Sequence, residues 1–293
     1  MEEAIQKADV LIEALGWIRR LRDKITVIKL GGSVMENPDA LRHLLIDIVF
    51  METVGMRPVV VHGGGAAISR AMNASGLEPK FIQGRRYTDD ATLDIVEKVL
   101  ATEVNESIAK QIEEYGGRAM PLNFRNGANV LFGERMHLEG DAGEPLDLGH
   151  VGRVTRVDRA TIENFCYADT VPVIPSMAVT EAGEKLNVNA DTAANAVAEA
   201  LGAEKLMFLS DVNGVLADKD DPSSLYSSLT AKQCRELIDS GVINAGMIPK
   251  VEACIASLDR GVGKIHIVDG RIRHSLLLEI YTNRGVGTEI VGR

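Results

Sequence analysis

The sequence has little cysteine, no excess of positive charge and no long hydrophobic run, and each shortage removes a class of protein. Its three cysteines, Cys166, Cys234 and Cys254, are odd in number, widely spaced and free of any CxxC pair. That argues against a disulfide framework and a structural zinc site. A reducing compartment follows, so the expected location is cytoplasmic. Lysine and arginine number 32 against 42 aspartates and glutamates, a formal net charge of -10. Such a chain is repelled by nucleic acid and by anionic membrane surfaces, so neither is an expected partner. Any anionic ligand must be held by local donors. No apolar run approaches the roughly 18–20 residues of a membrane span. The opening Met1-Glu2-Glu3 lacks the basic and apolar regions of a secretory signal. What remains is ordinary globular material, 45% hydrophobic and 25% charged over 293 residues, enough for about two domains.

Residues 2–24 carry helical periodicity. Ile5, Ala8, Leu11, Ile12, Leu15 and Ile18 share one stripe, with Val10, Trp17 and Leu21 opposite. Two apolar faces suit either a helix docked on its own domain or one packed between subunits. From residue 25 strands and helices alternate. The β-branched run 25–30 ends in Gly31-Gly32, and Asn37-Pro38 opens a helix reaching about residue 56. A second buried-type strand, 57–61, runs into Gly63-Gly64-Gly65. The spacing predicts one long helix over 89–115, hairpins within 118–158, a helix over 159–168 and a strand over 171–174. Past Pro175 a second unit is expected. It holds a hairpin over 178–188, strands over 205–209 and 264–268, and helices over 191–201, 231–240, 247–260 and 275–281. This alternation implies an α/β fold with a mostly parallel sheet between two helical layers.

Two Gly-rich turns that each follow a buried strand and open a helix are candidates for anion binding. Glycine lets amides approach closely and point inward, and a helix N-terminus favours negative charge. Lys29 stands just before the first turn. The familiar nucleotide motifs are missing. Met247 follows Gly246 where a Walker A loop needs Lys, and Ile68 replaces the third glycine of a dinucleotide fingerprint. Asn187, Asn189 and Asp191 alternate ahead of a helix, more polar residues than capping alone requires. Ser210-Asp211 ends an apolar strand, and Asn213-Gly214 makes the turn after it. Lys250 opens a helix, where a cation opposes the dipole unless it faces a polyanion. In Gly84-Arg85-Arg86-Tyr87-Thr88 an Arg is placed to grip a carboxylate bidentately.

Taken in order, Lys29-Leu30-Gly31-Gly32-Ser33, His62-Gly63-Gly64-Gly65, Gly84-x-Arg86-x-Thr88, Asn187-Val188-Asn189-Ala190-Asp191, Leu209-Ser210-Asp211-Val212 and Gly246-Met247-x-x-Lys250 resemble the amino acid kinase family. The resemblance covers residues 25 to about 293. It implies a three-layer αβα sandwich divided into an oligomerisation helix (1–24), an acyl-amino-acid substrate domain (25–175) and a nucleotide-binding domain (176–293). The implied reaction is ATP-dependent phosphorylation of the side-chain carboxylate of N-acetyl-L-glutamate in arginine biosynthesis. The alternative acceptor is a carrier-linked aminoadipate or glutamate, because Arg85 and Tyr87 flank Arg86 where many relatives carry apolar residues. The implied catalytic set is Lys29, Lys250 and Asp191, with Gly31, Gly32, Gly64 and Gly65 on the phosphates. Gly64, Gly65, Arg86, Asn187 and Asn189 would bind substrate, and Ser210, Asp211, Gly214 and Met247 the nucleotide. Mg2+ would ride on the ATP phosphates and not in a protein carboxylate cage. The N-terminal helix further implies a hexameric homo-oligomer inhibited by L-arginine, with Trp17, Lys205, His274, Glu279, Gly285 and Gly287 at the effector site. Nothing in the sequence supports a PII-type regulator as a further partner. A non-catalytic arginine sensor is the competing class, and the presence of Lys29, Asp191 and Lys250 argues against it.

Overall fold

The computed structural model describes residues 1–140, 143–244, 247–282 and 284–292; Gly246 of the last motif lies outside them. The strands are β1 (Ile25–Leu30), β2 (Arg57–His62), β3 (Phe81–Ile82), β4 (Arg85–Arg86), β5 (Ala119–Pro121), β6 (Leu131–Arg135), β7 (Leu138–Glu139) and β8 (Pro145–Leu146). They continue with β9 (Val151–Val157), β10 (Val171–Pro175), β11 (Met177–Val179), β12 (Lys185–Val188), β13 (Lys205–Ser210), β14 (Ser228–Thr230), β15 (Lys264–Asp269) and β16 (Thr288–Val291). The helices are α1 (Glu2–Leu21), α2 (Gly32–Met35), α3 (Pro38–Thr53), α4 (Gly65–Ala74), α5 (Asp90–Glu97) and α6 (Asn105–Glu114). The rest are α7 (Arg159–Tyr167), α8 (Ala190–Leu201), α9 (Ala231–Asp239), α10 (Ile248–Asp259) and α11 (Ser275–Ile280).

Eight strands form one continuous sheet in the order β14-β16-β15-β13-β1-β2-β10-β5. All its pairings are parallel except β15 with β16. β1 is central, and the chain proceeds from it to β2 on one side and later to β13 on the other. Every residue of β13 is buried, as expected of a parallel strand covered on both faces. Two apolar clusters cover those faces. Val27, Val59 and Phe208 look one way toward Ala193, Ala194 and Val197 of α8; Ile28, Val60 and Leu209 look the other way toward Leu44 and Ile48 of α3. Alternation along each strand produces this division. Asn37 and Asn189 cap α3 and α8 with their side chains, and Gly202 ends α8 in the left-handed region at φ 57.

Three expectations need correction. The hairpin read as opening the second unit, β11–β12, instead pairs with β6 and β9 to close a four-stranded barrel. The long helix over 89–115 is interrupted by a π-helical turn at Lys98–Val104. Residues 288–291, assigned no element from the sequence, form β16.

Candidate active site

In an open α/β sheet, ligands bind beyond the carboxyl ends of the strands where the strand order reverses. Here that point lies at β1 and β13. Lys29, on β1, reaches Asp191 in the first turn of α8, with Nζ 2.7 Å from Oδ1. Lys250, in the first turn of α10, approaches the other oxygen of the same carboxylate at 3.5 Å. Two ammonium groups from opposite lobes thus meet at one anion. Burial raises the Asp191 pKa, but Lys29 and then Lys250 outweigh it and leave it below the ordinary carboxylate range. The aspartate stays ionised and holds the two cations at a fixed spacing.

The glycine turns face this pair. Among the described residues no hydrogen bond occupies the amides of Gly32, Gly64 or Gly65, which stand at the starts of α2 and α4. Such amides are ready donors for an anion. Gly31 is the exception to the expected set, because its N–H donates to the Leu209 carbonyl at 2.8 Å. Its role is close packing. A Cβ on Gly31 would lie 2.5 Å from the Leu209 oxygen, whereas one on Gly32 would meet nothing within 4 Å. Gly31→Ala should therefore cost about 1–3 kcal/mol of stability, the range for overpacking. Gly32→Ala should keep the wild-type urea midpoint; equal midpoints for the two variants would refute this reading.

Beside the amides lies a cavity of about 180 Å³, lined by Gly64, Gly65, Arg86, Ser176, Asn187 and Asn189 among others. Arg86 is 8% exposed and has no carboxylate partner among the described residues. Its Nη2 donates to the Gly65 carbonyl and the Ser69 hydroxyl, both at 2.8 Å, and its guanidinium lies 4.8 Å from the Phe81 ring. A buried guanidinium lacking a counter-ion is a carboxylate receptor in waiting. The Asn187 amide donates to the Thr88 hydroxyl at 3.1 Å, tying β12 to the Arg86 loop. Asn189 lines the same cavity, but its side-chain oxygen accepts from the Asp191 and Thr192 amides.

Of the expected nucleotide residues, Ser210 ends β13, Asp211 and Gly214 follow it and Met247 precedes α10; none of them lines that cavity. The Ser210 hydroxyl accepts from Val212 N–H, and the Asp211 carbonyl from Arg271. Gly214 packs on Thr288 at φ 131, and Met247 starts α10 against the core. Of the expected effector residues, Trp17, Lys205, Glu279 and Gly285 line a separate cavity of about 380 Å³ between α1 and the second lobe. Gly287 contributes its amide to Glu279 Oε2. His274 departs from the expectation: its Nδ1 lies 2.6 Å from Asp47 on α3, away from that cavity's lining.

Sequence reasoning missed Ser69, Phe81, Leu100 and Ser176, which line or brace the cavity. It also gave no separate role to His62, Asn105 or Asn123, which are bonded together behind the glycine turn. Their only signal is polarity inside apolar stretches.

An open parallel sheet with two lysines, a shared aspartate and free amides at its switch point defines a transferase that brings two anions together. The chain belongs to the amino acid kinase family, whose pattern matches residues 24–269. It is 44% identical to an acetylglutamate kinase of Heliobacterium modesticaldum, over 99% of this chain and 100% of that one. It is 46% identical to the acetylglutamate kinase of Moorella thermoacetica, over 98% of each. Among solved structures, N-acetylglutamate synthase from Neisseria gonorrhoeae with coenzyme A and N-acetyl-glutamate superposes with a TM-score of 0.84 at 25% identity. That alignment covers 98% of this chain, which spans only 63% of the synthase. Carbamate kinase from Giardia lamblia bound to AMP-PNP shares the fold, with a TM-score of 0.61 at 17% identity over 92% of this chain and 99% of that one.

Proposed function

We propose that this chain transfers the γ-phosphoryl group of ATP to the side-chain carboxylate of N-acetyl-L-glutamate, giving N-acetylglutamyl 5-phosphate and ADP in arginine biosynthesis. The observation that carries the chemistry is the meeting of Lys29 and Lys250 at Asp191, opposite unoccupied amides. Two like unit charges at about 4 Å repel by about 4 kcal/mol at an effective dielectric near 20. Phosphoryl transfer asks the protein mainly for alignment and relief of that repulsion. The lysines, held at Asp191, supply positive charge, and the amides of Gly32, Gly64 and Gly65 supply hydrogen-bond donors. The acceptor is already ionised and needs no base, so Asp191 orients the lysines. Arg86 and Asn187, which line one cavity, hold the α-carboxylate end. ATP enters over β13 and β15 beside Ser210, Asp211, Gly214 and Met247, with Mg2+ carried on its phosphates. Incubation with ATP, N-acetyl-L-glutamate and hydroxylamine should yield the hydroxamate. Its absence, with turnover of a carrier-linked glutamate or aminoadipate, would transfer the assignment to that acceptor.

The finer part of the reading is feedback inhibition by L-arginine in a hexamer. Its support is the second cavity, where Trp17 of α1 meets Lys205, Glu279 and Gly285. Its further support is α1 itself, which exposes Ile5, Leu11 and Ile12 of one stripe, an apolar face suited to another α1. Deleting residues 2–24 should give smaller particles by light scattering and abolish inhibition by arginine. Unchanged mass would remove α1 from the assembly.

A further inference from the structure

We propose that His62, Asn105 and Asn123 are positioning residues that aim the Gly64 amide at the transferred phosphoryl group. The inference rests on the phosphotransferase reading above and assigns it three side chains outside the reacting set. His62 ends β2 directly before the glycine turn and is fully buried. Its Nδ1 lies 2.9 Å from the Gly63 carbonyl, and its Nε2 lies 3.0 Å from the Asn105 amide nitrogen. That amide also donates to the Val173 carbonyl at 2.9 Å, while the Asn105 oxygen accepts from Asn123 at 3.0 Å. Asn123 donates as well to the Ala101 carbonyl, inside the π-helical turn.

The donors and acceptors in this chain have one consistent direction. Asn105 presents hydrogens to Nε2, so Nε2 accepts and the ring proton sits on Nδ1, where it donates to the Gly63 oxygen. A trans peptide unit is planar, with its carbonyl and N–H pointing opposite ways. Fixing the Gly63 carbonyl therefore fixes the direction of the Gly64 N–H, which has no other partner among the described residues. Leu100 closes the turn from behind. A Cβ on Gly64 would lie 2.6 Å from its Cδ2, which is why glycine stands there. The π-helical turn brings Leu100 and Asn105 onto the glycine turn together, and π insertions of this kind gather at functional sites. Burial pushes the His62 pKa down to about 4, opposed by the Gly63 carbonyl, so the ring is neutral during turnover. No charged side chain is in direct contact with it among the described residues.

The test uses the full chain. Removing one preorganised donor of this kind typically costs on the order of 10²–10³ in kcat. His62→Leu frees the peptide and should lower kcat about 100-fold with both KM values within about threefold. His62→Asn places an amide hydrogen where Nδ1–H was and should return kcat to within about fivefold of wild type. Asn105→Asp presents a carboxylate to Nε2 and draws the proton to that side. Below the imidazolium pKa both ring nitrogens carry hydrogen and the Gly63 bond survives; above it Nδ1 turns acceptor and the bond is lost. The kcat ratio of Asn105→Asp to wild type should therefore fall about tenfold between about pH 6 and about pH 9. A flat ratio, or His62→Asn no better than His62→Leu, overturns the proposal. The imidazole ¹⁵N spectrum of the wild type is an independent readout and should show the Nδ1–H tautomer; an Nε2–H tautomer overturns it without an assay. Failure of the wild type to form hydroxamate would instead count against the acceptor assignment and leave the tautomer result standing.

Discussion

Lys29→Ala and Lys250→Ala should each lower kcat by a factor on the order of 10³ without changing the far-ultraviolet dichroism spectrum. Both ammonium groups contact Asp191 in the resting site. Their value in the reaction lies elsewhere, in the charge that accumulates on the transferred group and in the approach of a second anion. A positive group fixed at that point acts in a partly water-excluded site, where it is worth more than in bulk solvent. The lysines are not equivalent in stability terms. Lys29 Nζ is the closer partner, on a strand in the middle of the sheet. Its removal leaves Asp191 with the longer contact alone, so the Lys29 variant should melt at a lower temperature than the Lys250 variant. Asp191→Asn should also lower kcat, by a smaller factor, because the ammonium groups remain but lose the anion that sets their spacing. Steady-state rates at saturating ATP and N-acetyl-L-glutamate check all three. Turnover within tenfold of wild type for either alanine variant would remove that lysine from the chemistry.

Much of this site was legible because its signals are local. A buried strand that ends in Gly-Gly and opens a helix marks an amide-lined turn whatever surrounds it, so Gly32, Gly64 and Gly65 were recoverable. Lys250 stood out because a cation in the first turn of a helix opposes the dipole, and Arg86 because a basic pair there has no local partner. What depends on tertiary neighbours was not legible. The Gly31 amide looks as free as that of Gly32 until β13 is placed beside β1 and its Leu209 carbonyl takes the hydrogen. The β11–β12 hairpin has the same alternation whichever sheet it joins, so its pairing with β6 and β9 was hidden. The π-helical turn leaves the apolar spacing of 89–115 nearly intact, and only its contact with Gly64 betrays it. His274 resembles an effector ligand by its position before Glu279, yet its backbone adopts φ 57 and turns the ring to Asp47.

Arg86→Ala should raise the KM for N-acetyl-L-glutamate by about 30- to 150-fold, with the KM for ATP within about threefold of wild type. The estimate comes from the roughly 2–3 kcal/mol of a charge-assisted hydrogen bond in a desolvated pocket, at 1.4 kcal/mol per factor of ten. Arg86 meets the condition of desolvation, since burial alone pulls its pKa below the usual guanidinium value. It also meets the condition of availability. A guanidinium carries five N–H donors, and Arg86 uses three of them, on Gly65, Ser69 and Met72. The first two contacts hold the fork in place and leave the remaining hydrogens for a ligand. Arg86→Lys should therefore fail to rescue KM, although it keeps the charge, because an ammonium that braces the Gly65 carbonyl and Ser69 has a single hydrogen left for a carboxylate, where the guanidinium keeps one on Nε and one on Nη1. The split between the two KM values is the discriminating result. A general loss of folding would move both, and loss of the phosphoryl-transfer machinery would move kcat. An Arg86→Ala enzyme with an unchanged KM for the acyl amino acid would mean that the carboxylate is held elsewhere, and the 180 Å³ cavity beside Gly64 would lose its assignment as the acceptor site.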